Sequence, residues 1–173
     1  MKIEYDIESG SCLPLSEIKS LENSVGALPS DFKEFLANNG SGTPKKRVLS
    51  LPSGGDAVIQ CIRSFSRSDF IKDEYILEHD SNFFLVFADD SFGNWFSIKL
   101  GDRKLSPVYF IDRDSALSSG FDAQNISPDF KGFLESLMDE ESSDEQIKNI
   151  DPEVYEDFEK RLEALKRKSG LIK

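Results

Sequence analysis

Six consecutive apolar residues, Phe83-Phe-Leu-Val-Phe-Ala88, constrain the fold more than any other stretch of this chain. Side chains alternate between the two faces of a strand, so a run apolar at every position needs cover on both. The run predicts a central, covered strand. Residues 89–93 read as a turn, and the next segment alternates. Phe96, Ile98 and Leu100 share one face there, and Trp95, Ser97 and Lys99 share the other. A further turn at 101–107 and a strand at 108–111 complete a three-strand meander.

Helical spacing appears on either side of the meander. Leu15, Ile18, Leu21 and Val25 recur at helical steps with Gly26 as a stop. Pro29 suits the first turn of a second helix, whose stripe is Phe32, Phe35 and Leu36 and whose stop is Gly40. The polar run 41–47 predicts a loop. Residues 47–51 and 57–65 predict strands about the turn Pro52-Ser-Gly-Gly-Asp56, and 69–78 predict a helix. Ser127 and Pro128 read as cap and first residue of a helix that turns Phe130, Phe133, Leu134 and Leu137 inward. A solvated acidic link at 139–145 leads to a last amphipathic helix at 152–168, with acids early and bases late along its dipole. The pattern predicts an α+β domain over 1–140. The link and final helix, 141–173, are expected to dock on it or to pair with a partner helix.

The 14 phenylalanines among 173 residues predict a phenylalanine-rich core. With 32 acidic against 21 basic residues the formal charge is −11, which disfavours nucleic acid and anionic membranes and attracts a basic protein. Cys12 and Cys61 are too few for a disulfide framework or a zinc site, and read as small buried hydrophobes of a reduced protein. The N-terminus shows no apolar signal core and no run approaches membrane length, so a cytosolic location is expected.

No catalytic set emerges. Val108-Tyr-Phe-Ile-Asp-Arg-Asp114 resembles the Asp-x-Asp motif of haloacid-dehalogenase-type phosphatases, but that chemistry needs the end of a parallel strand and further βα units. Asp112 and Asp114 are expected to end a strand and start a loop. His79 is the sole histidine and has no partner for a triad. Asp89 and Asp90 lack the ligand periodicity of a calcium loop, and the glycine-rich 52–56 turn lacks a phosphate-loop lysine. Neither a cofactor nor a metal is implied. The candidate partner contacts are Asp89, Asp90, Asp102, Asp112 and Asp114 at loop ends, with Trp95 and Tyr109. The acidic stretch Asp139, Glu140, Glu141, Asp144 and Glu145 is a second candidate. Trp95 is an interface anchor if its face meets solvent, and core if a helix covers it.

Three segments together resemble the SUKH superfamily (Smi/Knr-type proteins). Leu28-Pro-Ser-Asp-Phe-Lys-Glu-Phe-Leu-Ala-Asn-Asn-Gly40 is similar to its early helix. Leu85-Val-Phe-Ala-Asp-Asp-Ser-Phe-Gly-Asn-Trp-Phe-Ser-Ile-Lys-Leu100 resembles its central hairpin. Pro107-Val-Tyr-Phe-Ile-Asp-Arg-Asp114 resembles the next strand, with Arg113 where histidine is common, and 127–137 resembles the closing helix. The resemblance spans 15–138 and leaves the 152–168 helix unaddressed. It implies a largely antiparallel twisted sheet with helices packed around it. By analogy it also implies an immunity protein that neutralises a secreted toxin such as a nuclease or deaminase, or a signalling scaffold like the fungal members.

Overall fold

The apolar run at 83–88 receives the cover it requires. The computed structural model describes residues 2–66, 75–101, 107–118 and 120–140. The run lies in strand β6 (Asn82–Asp90), buried continuously from Phe84 to Ala88, while Phe83 at its start is exposed. The strands before it are β1 (Tyr5–Glu8), β2 (Gly42–Pro44), β3 (Lys46–Ser50), β4 (Asp56–Ile62) and β5 (Ile76–His79). After it come β7 (Trp95–Lys99), β8 (Val108–Ile111), β9 (Ala123–Ser127) and β10 (Met138–Asp139). The sheet runs β1-β2-β4-β6-β7-β8-β9, with β5 on β6 and the β3–β10 pair on β4. All pairings among these strands are antiparallel.

One face packs on helices α1 (Leu15–Val25), α2 (Ser30–Asn38) and α4 (Phe130–Glu135). Six phenylalanines, Phe32, Phe35, Phe87, Phe96, Phe130 and Phe133, are fully buried there. Phe130 is their hub: its ring lies 4.9 Å from Phe32, 5.0 Å from Phe35 and 5.1 Å from Phe87, each edge-on. That geometry suits the aromatic quadrupole, and burying each such ring stabilises the fold by about 1.5–3 kcal/mol. The opposite face carries a second cluster of Phe84, Val86, Trp95 and Ile111. Ala116 of the short helix α3 (Arg113–Ser118) and Phe121 pack against it. Trp95 is therefore core, because α3 covers its face.

Several expectations are corrected. The 41–47 run is not all loop: Gly42-Thr-Pro44 pairs with β1 and β4, and a Cβ at Gly42 would lie 2.0 Å from the Ile7 carbonyl oxygen. Backbone pairing across the fold makes this strand, not side-chain alternation. The 69–78 helix is replaced at its end by β5, and residues 67–74 lie outside the described residues. Asp112 and Asp114 lead into a helix rather than a loop. Ala123-Gln-Asn-Ile-Ser127 forms a strand no periodicity announced, because Ala123 and Ile126 are its only apolar residues. Ser127 ends that strand, and Asp129 takes over as cap of α4, its carboxylate accepting the Gly132 N–H at 2.6 Å. Asp139 sits in β10, not in a free link. The expected helix at 152–168 lies outside the described residues. No helix among the described residues is long and apolar enough to cross a membrane.

Candidate functional site

Strand register gathers most of the candidate residues at one end of the sheet. Asp89 pairs with Trp95, Trp95 with Ile111 and Ile111 with Ala123, so one row crosses β6, β7, β8 and β9. Asp90, Asn94, Asp112 and Asp122 each follow or precede that row by one residue. Asp139 and Glu140 lie elsewhere, separated from Asp89 by β3 and β4.

The acids at this end have unequal roles. Asp89 forms a bidentate pair with Arg63, whose Nε donates to Asp89 Oδ2 at 2.8 Å. The same guanidinium lies over the Tyr75 ring at 4.7 Å. Asp90 is buried, 5% exposed, and organises the β6–β7 turn. Its Oδ1 accepts the N–H groups of Phe92 and Asn94, both at 2.8 Å, and its Oδ2 accepts the Asn94 amide at 2.9 Å. Three donors satisfy the buried charge, so this carboxylate is committed to the fold. Neither aspartate is a free contact residue.

Asp112 and Asp114 are exposed at the start of α3. Asp112 Oδ1 accepts the Ser115 N–H at 2.8 Å, as a helix N-cap does. That N–H, with help from the Ser115 hydroxyl, holds the Asp112 carboxyl below the usual carboxylate range. Arg113 folds back, its guanidinium 5.6 Å from the Trp95 ring centre, while its backbone N–H donates to Asn94 Oδ1 at 3.2 Å. The β6–β7 turn and α3 are thereby joined.

Tyr109 is half-buried on the second face, edge-on to Phe84 at 5.3 Å. Asp139 approaches Lys46 at 3.9 Å, and Glu140 accepts from Arg47 Nε at 2.7 Å. Arg47 also reaches Asp6 at 3.2 Å, so Glu140 belongs to a tie between β1, β3 and the chain after β10. Asp102, Glu141, Asp144 and Glu145 lie outside the described residues.

Sequence reasoning missed two features. Arg63, whose only link to Asp89 is tertiary, left no local signal. Phe92 at the tip of the turn is 89% exposed, the most exposed large apolar side chain among the described residues. Its signal was present in Asp90-Ser-Phe-Gly-Asn94, where an Asx residue opens a turn and Gly93 takes φ 85°.

The topology rules out the phosphatase geometry that Asp112-Arg-Asp114 suggested. Strand β8 runs antiparallel to both neighbours, so those carboxylates do not crown a parallel sheet. A cleft of about 500 Å³ beside β10 and α4 is lined by Ile3, Lys45, Lys46, Leu134, Leu137 and Asp139. Two of its lysines are paired within it, Lys45 with Glu4 at 3.4 Å and Lys46 with Asp139. The described surfaces thus offer exposed charge and an exposed aromatic ring.

Comparison with curated proteins and with solved structures found no match. The family model of the SMI1 / KNR4 family (SUKH-1) matches residues 13–136, from just before α1 to just after α4. The match takes in the four helices of the described residues and the meander that builds the acidic sheet end, and on that extent the chain belongs to the SMI1 / KNR4 family (SUKH-1).

Proposed function

We propose that this protein is a non-catalytic, cytoplasmic immunity protein that binds a cognate secreted toxin and occludes its active cleft. Membership of the SMI1 / KNR4 family (SUKH-1) carries the reading. The charge of −11 supports it. A nuclease or nucleic-acid deaminase needs a basic cleft, and an acidic globule complements such a cleft electrostatically. Complementary charge raises the association rate most at low salt.

The test is growth rescue. Cells expressing the toxin domain encoded beside this gene should survive when the full chain is co-expressed, and the purified chain should inhibit that domain stoichiometrically. Absence of rescue and of binding sinks the reading. The family match equally suits a scaffold that binds a signalling protein. Binding to the neighbouring gene product without loss of that product's activity would favour this second reading.

A further inference from the structure

We propose that Phe92 is the apolar anchor of the partner contact, seated in an apolar pocket of the toxin whose rim carries lysine and arginine. The inference rests on the toxin-binding reading and names the surface that does the binding.

An 89% exposed phenylalanine leaves nearly its whole ring in water. Transfer of that ring into a pocket is favourable, whereas the folded monomer gains nothing from holding it out. The chain buries six other phenylalanines completely, so an unburied one on a well-formed turn is an exception to its own pattern. The turn is also ordered. The Phe92 N–H is bound to Asp90, the Gly93 N–H donates to the Asp90 carbonyl at 3.1 Å, and the Ser91 N–H donates to the Val58 carbonyl at 3.1 Å. Phe92 is thus presented on a fixed backbone, which lowers the ordering cost of association.

The surroundings specify the partner's charge. Asp112 and Asp122 each sit one residue beyond the Ile111–Ala123 pair at the same end of the sheet, and both are exposed. Asp114 is exposed two residues further on, and the Asn94–Arg113 hydrogen bond ties the start of α3 to the turn that carries Phe92. The intervening cation, Arg113, lies over Trp95. Arg113 is exposed and borders the turn at Gly93, so the three exposed carboxylates leave this end of the sheet net acidic, which fits a basic polypeptide. They repel phosphate backbones and anionic lipid. Leu117, 70% exposed on α3, adds apolar area on the same element.

The test uses the full chain and the toxin domain encoded beside its gene, with binding followed by surface plasmon resonance. Phe92→Ser should weaken binding at least about thirty-fold, mainly through faster dissociation, and Phe92→Trp should retain it. Asp114→Lys should slow association about ten-fold at low salt, with the difference vanishing at about 1 M salt. Thermal unfolding of Phe92→Ser should match wild type, since the ring is not packed in the monomer. If wild type binds and rescues while Phe92→Ser and Asp114→Lys do so equally well, the contact lies elsewhere and this inference alone fails. If wild type neither binds nor rescues, the toxin reading fails and the inference with it. Phe92-dependent binding to phosphatidylcholine vesicles, or Phe92-dependent dimerisation, would also overturn it.

Discussion

The Asp31 carboxylate of α2 accepts the backbone N–H of Phe130, 99 positions away, at 3.1 Å. The same oxygen accepts the Lys131 N–H at 3.3 Å. Helix α4 has only six residues and is too short to persist alone. Its first N–H groups therefore rely on a neighbouring helix as well as on its own cap, Asp129. This relationship locks α2, α4 and the hub ring of Phe130 together.

Asp31→Ala should destabilise the protein by about 1–2 kcal/mol, the usual cost of losing a helix cap. Asp31→Asn keeps an acceptor and should lose less. Urea denaturation measures both, and equal stability of Asp31→Ala and wild type would show that Asp129 suffices.

Asp90→Ala removes the acceptor for three hydrogen bonds at a buried position. The expected loss is about 3 kcal/mol, because N–H groups of the turn are left without their charged partner. The turn should also loosen, seen as a lower heteronuclear NOE at Phe92. Asp90→Asn should lie between the two. A binding defect in either variant reports this loss of order and not a missing contact.

Ser97 is fully buried on the Trp95 face, and its hydroxyl has no hydrogen-bond partner among the described residues. An unpaired hydroxyl costs desolvation that an alanine methyl does not. Ser97→Ala should leave stability unchanged or raise it by up to about 1 kcal/mol, read as a rise of a few degrees in Tm. A drop of that size would reveal a partner for the hydroxyl.

The Asp112 carboxyl titrates below its ordinary value because the Ser115 N–H favours its charged form. A folded-state pKa depressed below the unfolded one gives stability that is present above the unfolded value and lost as pH falls through the folded one. The protection factor of the Ser115 amide, its exchange rate relative to the intrinsic rate at the same pH, should therefore fall as the pH drops below about 4. In Asp112→Asn that acid dependence should disappear. Retention of the same pH profile in the variant would place the titration on another group.

Local pattern made the central strand, the Trp95–Lys99 alternation, α1 and α2 legible. Each buries a continuous apolar face, and such faces repeat at the period of the element. β1, β2, β5, β9 and β10 were not legible, because they are short and take their stability from backbone pairing, which for β1 and β10 is with strands distant in the sequence. A three-residue strand such as Gly42-Thr-Pro44 has no period to read.

The candidate site divides the same way. The sequence by itself determined that Asp89, Asp90, Asp112 and Asp114 cluster at turns and strand ends, and that Trp95 opposes the Phe96 face. Only the tertiary structure decided which of them are available. Arg63 neutralises Asp89, the turn's own N–H groups consume Asp90, and α3 covers Trp95. Phe92 is left exposed beside Asp112 and Asp114. The physical reason is that periodicity assigns a residue to a face. Whether that face meets water, a cation or a helix depends on chain segments tens of residues away.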